Sequence, residues 1–216
     1  MRNSRISRRR FLVATGGVLT ASTLMCGGVT VLGNQMPAIE YVHASCGKEP
    51  NVNKVLVAYA SKCGSTGEVA QAIGQALCAH GATVDVRRIE EVGDVTGYDA
   101  FVVGSAIRMG AWLPQAKQFV EANAATLSAA PTAFFTVHML NLDDGEESKA
   151  ARAAYVAPVY ASVTPQAEAF FAGKLDMGKM SFLDRMISKM MKAKDEDKRD
   201  WSAIAAWADQ ILPEAA

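Results

Sequence analysis

The chain has 216 residues, enough for one domain with additional segments. Half of its residues are hydrophobic, so a full core can be buried, and 22 basic residues balance 22 acidic ones to a formal net charge of zero. Neutrality argues against nucleic acid as the main partner, because phosphate neutralisation needs a basic surface. The four cysteines, Cys26, Cys46, Cys63 and Cys78, make no Cys-x-x-Cys pair and no metal-type spacing with His43, His80 or His138. A metal site and a dense disulfide framework are therefore not expected, and Cys78 reads as a small apolar residue buried on a helix.

The N-terminus reads as an address. Arg2, Arg5, Arg8, Arg9 and Arg10 precede an uncharged apolar run from Phe11 to about Gly33. Ser7, Arg8, Arg9, Phe11 and Leu12 fall where a twin-arginine export signal has them. The run is just long enough to span a bilayer, which takes about 20 apolar residues. Gly16, Gly17, Gly27 and Gly28 weaken it as a helix. An uncleaved anchor is slightly favoured over cleavage near Val42, His43 and Ala44 or lipid attachment at Cys26 or Cys46. Residues 34–52, with Pro37, Gly47 and Pro50, read as a linker.

Strands and helices then alternate. Residues 54–60 form a short β-branched run, as in a strand buried on both faces. Helical spacing follows over 68–80, where Val69, Ile73 and Leu77 share a face, and Gly81 is a stop. Residues 83–89 alternate as an outer strand, 100–104 form a second buried strand, and 113–127 a helix with Pro114 in its first turn. A third buried strand covers 131–137, a helix 146–160 and a weak strand 168–172. The last helix spans 201–212, with Trp201, Ile204, Ala208 and Ile211 on one face. This order predicts an α/β fold with a parallel sheet between two layers of helices. Such sheets bind ligands at the carboxyl ends of their strands. The loops opening at Ser61, Ser105 and Thr136 are therefore where function is expected.

The first loop, Ser61, Lys62, Cys63, Gly64, Ser65, Thr66 and Gly67, joins a buried strand to a helix. Unpaired amides and the helix dipole make such a start an anion site. Gly64 permits an unusual turn, and Ser61, Ser65 and Thr66 add hydroxyls. The alternative is a tight turn with Ser65 or Thr66 as N-cap. No nucleoside-triphosphate or dinucleotide fingerprint is present.

Tyr59 to Thr66 resembles the FMN-phosphate loop of the flavodoxin family, and Val103 to Gly110 resembles its second FMN loop. Within the family, the loop Ala106, Ile107, Arg108, Met109 and Gly110 is similar to that of the menaquinone-dependent protoporphyrinogen IX dehydrogenases. So are Phe135 to Met139, the stretch from Ala172 to Leu175, the basic segment ending near Lys192, and Asp200 with Trp201. The resemblance covers roughly 54–212 and implies a flavodoxin-like three-layer sandwich with a five-stranded parallel sheet over 53–214. It implies FMN held by Ser61, Lys62, Cys63, Gly64, Ser65 and Thr66, by Ser105, Ala106, Ile107, Arg108, Met109 and Gly110, and by Thr136, Val137, His138 and Met139. Relatives often carry an aromatic where Met109 stands, and Trp112 is a nearby substitute for stacking on the flavin.

Residues 181–192 read as an inserted helix with a Ser181–Asp184 capping-box start. Phe182, Leu183, Met186, Ile187, Met190 and Met191 make an apolar stripe beside Arg185, Lys189 and Lys192. It either packs on its own domain or docks on a membrane or lipophilic substrate. No triad, metal site or acid pair stands out, which suits chemistry carried by a flavin. Arg108 can bind a substrate carboxylate or make a surface ion pair. His138 can bond the flavin, shuttle protons or serve structure. Cys63 lies where a helix start lowers thiol pKa, or is simply a tolerated loop residue. Two functions follow: a quinone-linked dehydrogenase, or an electron carrier docking on redox proteins. Either is expected outside the cytoplasmic membrane.

Overall fold

Side chains alternate across a strand with period two, and Lys54–Ala60 (β2) shows what that does here. Val55, Val57 and Tyr59 enter one apolar layer, and Leu56, Ala58 and Ala60 the other. A strand buried on both sides needs helices on both faces, and the sequence supplies them. The structure, a computed structural model, describes residues 37–47, 53–190 and 192–211. It divides into two units, 39–176 with 195–216, and 1–38 with 177–194.

In the larger unit Ala44–Cys46 (β1), Thr83–Arg88 (β3), Ala100–Arg108 (β4), Ala111–Trp112 (β5), Thr132–His138 (β6) and Ala167–Ala172 (β7) join β2 in one sheet. The order is β1-β3-β2-β4-β6-β7, with β5 paired to β4. Strands β3, β2, β4, β6 and β7 are mutually parallel, giving the expected five-stranded core. Strand order reverses between β2 and β4, so their carboxyl ends open a crevice there. Ser65–Ala79 (α1) and Trp201–Gln210 (α6) cover one face. Pro114–Ala122 (α2), Ala124–Ala129 (α3) and Glu146–Tyr160 (α4) cover the other.

Several boundaries differ from the sequence reading. The expected 113–127 helix breaks at Asn123, whose side-chain amide donates to the Phe119 carbonyl (2.8 Å) and competes with the helical ladder. In α6 it is Trp207 that packs inward, 5.6 Å from Phe171, while Trp201 is 45% exposed with Arg199 stacked on it. A small ribbon, Lys174–Leu175 (β8) with Glu196–Asp197 (β9), had no clear pattern.

The stretch read as a linker contains β1, which pairs antiparallel with the outer edge of β3. Cys46 at its end is disulfide-bonded to Cys78 of α1, with Cα atoms 6.1 Å apart, inside the range a disulfide spans. Cys78 is thus a cross-link and not a small apolar core residue. The separation of 32 residues hid the pairing.

The smaller unit contains Phe182–Met190 (α5). Its start keeps half of the capping-box pattern read from sequence: the Asp184 amide donates to Ser181 Oγ (3.2 Å), while the Asp184 carboxylate accepts from that hydroxyl (2.8 Å) and not from the Ser181 amide. Arg185 is held by the carbonyl of Met177 (2.8 Å). The helix stops before Lys192, which sits in the left-handed region at φ 56°. The segment read as an anchor, 11–33, lies outside the described residues. Among the described residues no helix is long and apolar enough to cross a membrane.

Candidate functional site

Register brings the three expected loops together. Ala60 is beside Ser105 on β4, and Ser105 is beside Thr136 on β6. The chain leaves β2 at Ser61, turns through Gly64 at φ 91°, and enters α1 at Ser65. An L side chain is strained at that φ, so glycine is the residue the turn asks for. The Gly64 amide donates to Ser61 Oγ (2.9 Å), and its carbonyl accepts from Gly67 (2.9 Å) and Glu68 (3.3 Å). Ser61 therefore shapes the turn. A Cβ on Gly67 would lie 2.8 Å from the Tyr59 ring, so glycine there lets α1 begin close against the sheet.

The helix start has no side-chain cap, which removes the plain N-cap reading of Ser65 and Thr66. The Thr66 side chain is fully buried, and its hydroxyl has no partner among the described residues. An orphaned buried hydroxyl beside unpaired helix-start amides fits a terminal phosphate, and no carboxylate lies within 61–67 to oppose one. Lys62 and Cys63 are half-buried on the loop's outer turn.

The second loop is largely strand. Positions 105–108 continue β4, which folds back on β5 with Ile107 opposite Trp112 and Arg108 opposite Ala111. Met109 (φ 53°) and Gly110 (φ 76°) form the two-residue turn, both left-handed as a type I′ hairpin requires. Met109 is 96% exposed at its tip, and Arg108 is exposed beside it. The buried Ser105 hydroxyl accepts from the Leu113 amide (3.0 Å) and donates to the Ala106 carbonyl (2.8 Å), tying the hairpin to the start of α2. Trp112 is buried, packs on Phe134 with centroids 5.2 Å apart, and donates to Thr136 Oγ1 (2.8 Å). It is a core residue and not a substitute for a stacking aromatic.

Thr136, Val137 and His138 are the buried end of β6, so the third loop proper opens at Met139. His138 lies edge-on to Tyr155 and Phe170. Its Nδ1 is 2.6 Å from the Leu140 carbonyl, which can only accept, so Nδ1 carries the proton. Burial lowers the pKa of His138. The loop beyond is held by residues that sequence reasoning passed over. Arg152 donates to the carbonyls of Asn141 (2.6 Å) and Asp143 (2.7 Å), and Asn141 to the Tyr155 hydroxyl (2.5 Å). An arginine mid-helix looks like surface until the fold returns the loop to it. Leu140 and Leu142 remain exposed.

A doubly wound parallel sheet whose switch point carries an uncapped helix start and two further loops at one edge defines a domain with a crevice suited to a phosphate-bearing ligand. The chain belongs to the flavodoxin domain family, which matches residues 56–202, and it is an FMN-binding flavoprotein. Among its relatives, the protoporphyrinogen IX dehydrogenase [quinone] of Escherichia coli is 25% identical over 170 residues, covering 73% of this chain and 94% of its own. The NAD(P)H dehydrogenase (quinone) of Rhodopseudomonas palustris is 31% identical over 90 residues, 32% of this chain and 45% of its own. Among solved structures, oxidised flavodoxin 2 from Bacillus cereus superimposes with a TM-score of 0.46 at 18% identity, over 73% of this chain and 97% of the other.

Proposed function

We propose that the protein is a quinone-linked FMN dehydrogenase of the protoporphyrinogen-oxidising type, carried to the outer face of the cytoplasmic membrane. In this reading residues 61–66 hold the phosphate through the amides of Ser65 and Thr66 and the Thr66 hydroxyl. The backbone of 105–110 and of 136–139 borders the isoalloxazine, with Met109 beside it. FMN, when bound, supplies two-electron redox chemistry. Each turnover moves two electrons and two protons from the porphyrinogen to the quinone, which leaves as quinol. The chain's task is to bind, orient and admit both. His138 is a structural donor that fixes the third loop, and Arg108, exposed at the hairpin, is placed to meet a substrate carboxylate.

The observation that carries the reading is α5. Phe182, Met186 and Met190 recur every fourth residue and are 63%, 54% and 79% exposed. Leu183 and Ile187 widen the stripe, and Lys189 and Lys192 are exposed beside it. A methionine-rich apolar face with a basic margin suits a lipophilic acceptor at an anionic membrane surface. Export is supported by Arg8 and Arg9 and by the Cys46–Cys78 disulfide, since such bonds persist in oxidising compartments. Residues 1–33 are then the signal or anchor, ahead of the domain that begins with the segment carrying β1.

The test is acceptor specificity. Replacing Lys189 and Lys192 by glutamate is expected to lower turnover with a menaquinone analogue at least several-fold and to leave turnover with a soluble dye unchanged. Equal loss with both acceptors would make α5 a structural helix. A second reading, an electron carrier without its own substrate, draws on the exposed tips Met109, Leu140 and Leu142, which can seat a partner protein. It is favoured if the reduced protein passes electrons to redox proteins and shows no porphyrinogen oxidation.

A further inference from the structure

The flavodoxin match begins at residue 56, yet the segment before it reaches the phosphate loop. Val42 accepts from the buried Tyr59 hydroxyl through its carbonyl (2.9 Å). His43 lies 3.0 Å from Glu91. The half-buried Tyr41 has its hydroxyl 3.5 Å from the Lys62 carbonyl, on the turn that leads into Gly64. The Arg88 guanidinium stands 3.8 Å over the Tyr41 ring and is itself braced by Glu90 (3.1 Å) and Glu91 (3.7 Å). Tyr41 is thus clamped between the end of β3 and the outside of the loop.

What holds the segment there is short. β1 has three residues, paired on one side only. Three paired residues at a sheet edge do not fix a segment firmly; Arg87 adds bonds to the Ala44 carbonyl (2.9 Å) and Ser45 Oγ (2.7 Å), and the covalent constraint is the bond from Cys46 to Cys78.

We infer that Tyr41 is a positioning residue for the FMN-phosphate loop, and that the Cys46–Cys78 disulfide keeps it in place. Tyr41 acts through the Lys62 carbonyl. It holds the peptide before Gly64 so that the amides of 62–66 converge on one point. Opening the latch takes two electrons and two protons from a dithiol, which becomes a disulfide, and leaves two cysteine thiols. The strand is then held by its edge pairing and side-chain bonds alone, with no covalent tie, and the outer support of the loop is loosened. Oxidation after transport would therefore tighten the hold on FMN.

The full chain, stripped of FMN, is titrated with FMN and with riboflavin, which lacks the phosphate. Tyr41→Ala and the paired Cys46→Ser, Cys78→Ser variant are expected to weaken FMN about tenfold, the scale of one lost charge-assisted contact. Riboflavin affinity should stay within about twofold of wild type, as expected for a loss confined to phosphate contacts. Wild-type protein treated with dithiothreitol should match the serine pair, and Tyr41→Phe, which keeps the ring on Arg88, should fall between. Equal weakening of both ligands, or unchanged FMN affinity in the reduced protein, overturns the inference. Should Tyr41→Ala fail to fold, the phenylalanine variant and the reduced wild type decide it alone. The inference rests on the phosphate-loop reading. A wild-type protein that does not prefer FMN over riboflavin overturns both, whereas a preference unchanged from wild type in every variant overturns this one only.

Discussion

The indole N–H of Trp112 donates to Thr136 Oγ1 across 2.8 Å, both residues buried, and so joins the hairpin behind Met109 to the strand that ends at His138. Two loops bordering the candidate flavin site are thereby tied to each other through the core. Trp112→Phe keeps most of the apolar contact with Phe134 but leaves the Thr136 hydroxyl unpaired in the core. The expected destabilisation is about 1–3 kcal/mol, read by urea unfolding. Adding Thr136→Val removes the orphaned hydroxyl and should recover part of the loss. If the double variant is no more stable than the single one, the hydrogen bond is not what holds the pair.

Gly64 carries the second prediction. At φ 91° a β-branched side chain costs on the order of 1–3 kcal/mol and enters the space where the backbone meets phosphate. Gly64→Val is expected to abolish FMN binding while the apo-domain still unfolds cooperatively. Titration with FMN, followed by circular dichroism of the same sample, separates the two effects. Near-wild-type affinity would show that the turn does not shape the site.

His138 gives a pH dependence. Burial lowers its pKa in the folded chain, so the unfolded chain binds the proton more tightly. Stability from the neutral ring is then fully present above the unfolded value, about 6.5, and declines as pH falls from there toward the folded pKa. Arg152 adds to the shift, and the bond to Leu140 opposes it. The slope of unfolding free energy against pH below 6.5 should be shallower in His138→Gln than in wild type. Parallel slopes would mean that another group sets the acid limit.

Export is the fourth prediction. A domain that carries FMN outward is best moved already folded, and the twin-arginine route moves folded proteins. Changing Arg8 and Arg9 to lysine should leave FMN-loaded protein inside the cell. Protease added to spheroplasts should digest the wild-type domain and spare the double variant. Protection of both, in a host with a working twin-arginine system, would make the N-terminus an inward-facing anchor.

The central strands were legible because β2, β4 and β6 are short apolar runs bounded by turn residues, and burial on both faces leaves no other composition. The carboxyl ends were harder. Ser105 to Arg108 looks like loop because its small and polar residues break the apolar run, yet pairing with Ala111 and Trp112 keeps it extended. The only local sign of the hairpin was Gly110 after Met109. The turn between β2 and α1 was legible from Gly64 and its hydroxyl neighbours, but the uncapped helix start and the orphaned Thr66 hydroxyl required coordinates. The least legible features join residues far apart in sequence, such as Arg152 to the third loop, Tyr41 to the first, and Cys46 to Cys78. No periodicity records such partners, because each is chosen by the path of the chain and not by its neighbours.

The bond between Cys46 and Cys78 also changes what a single cut in the chain can accomplish. A protease that nicks the segment between these cysteines makes two fragments that stay one molecule, because the sulfur bridge spans the break. Only a cut ahead of Ala44 separates the preceding residues from the domain, and it does so with β1 still seated on the sheet. The same nicked protein would run as one band without reductant and as two with it. Continuity of the molecule and continuity of the peptide backbone are therefore separate properties of this chain.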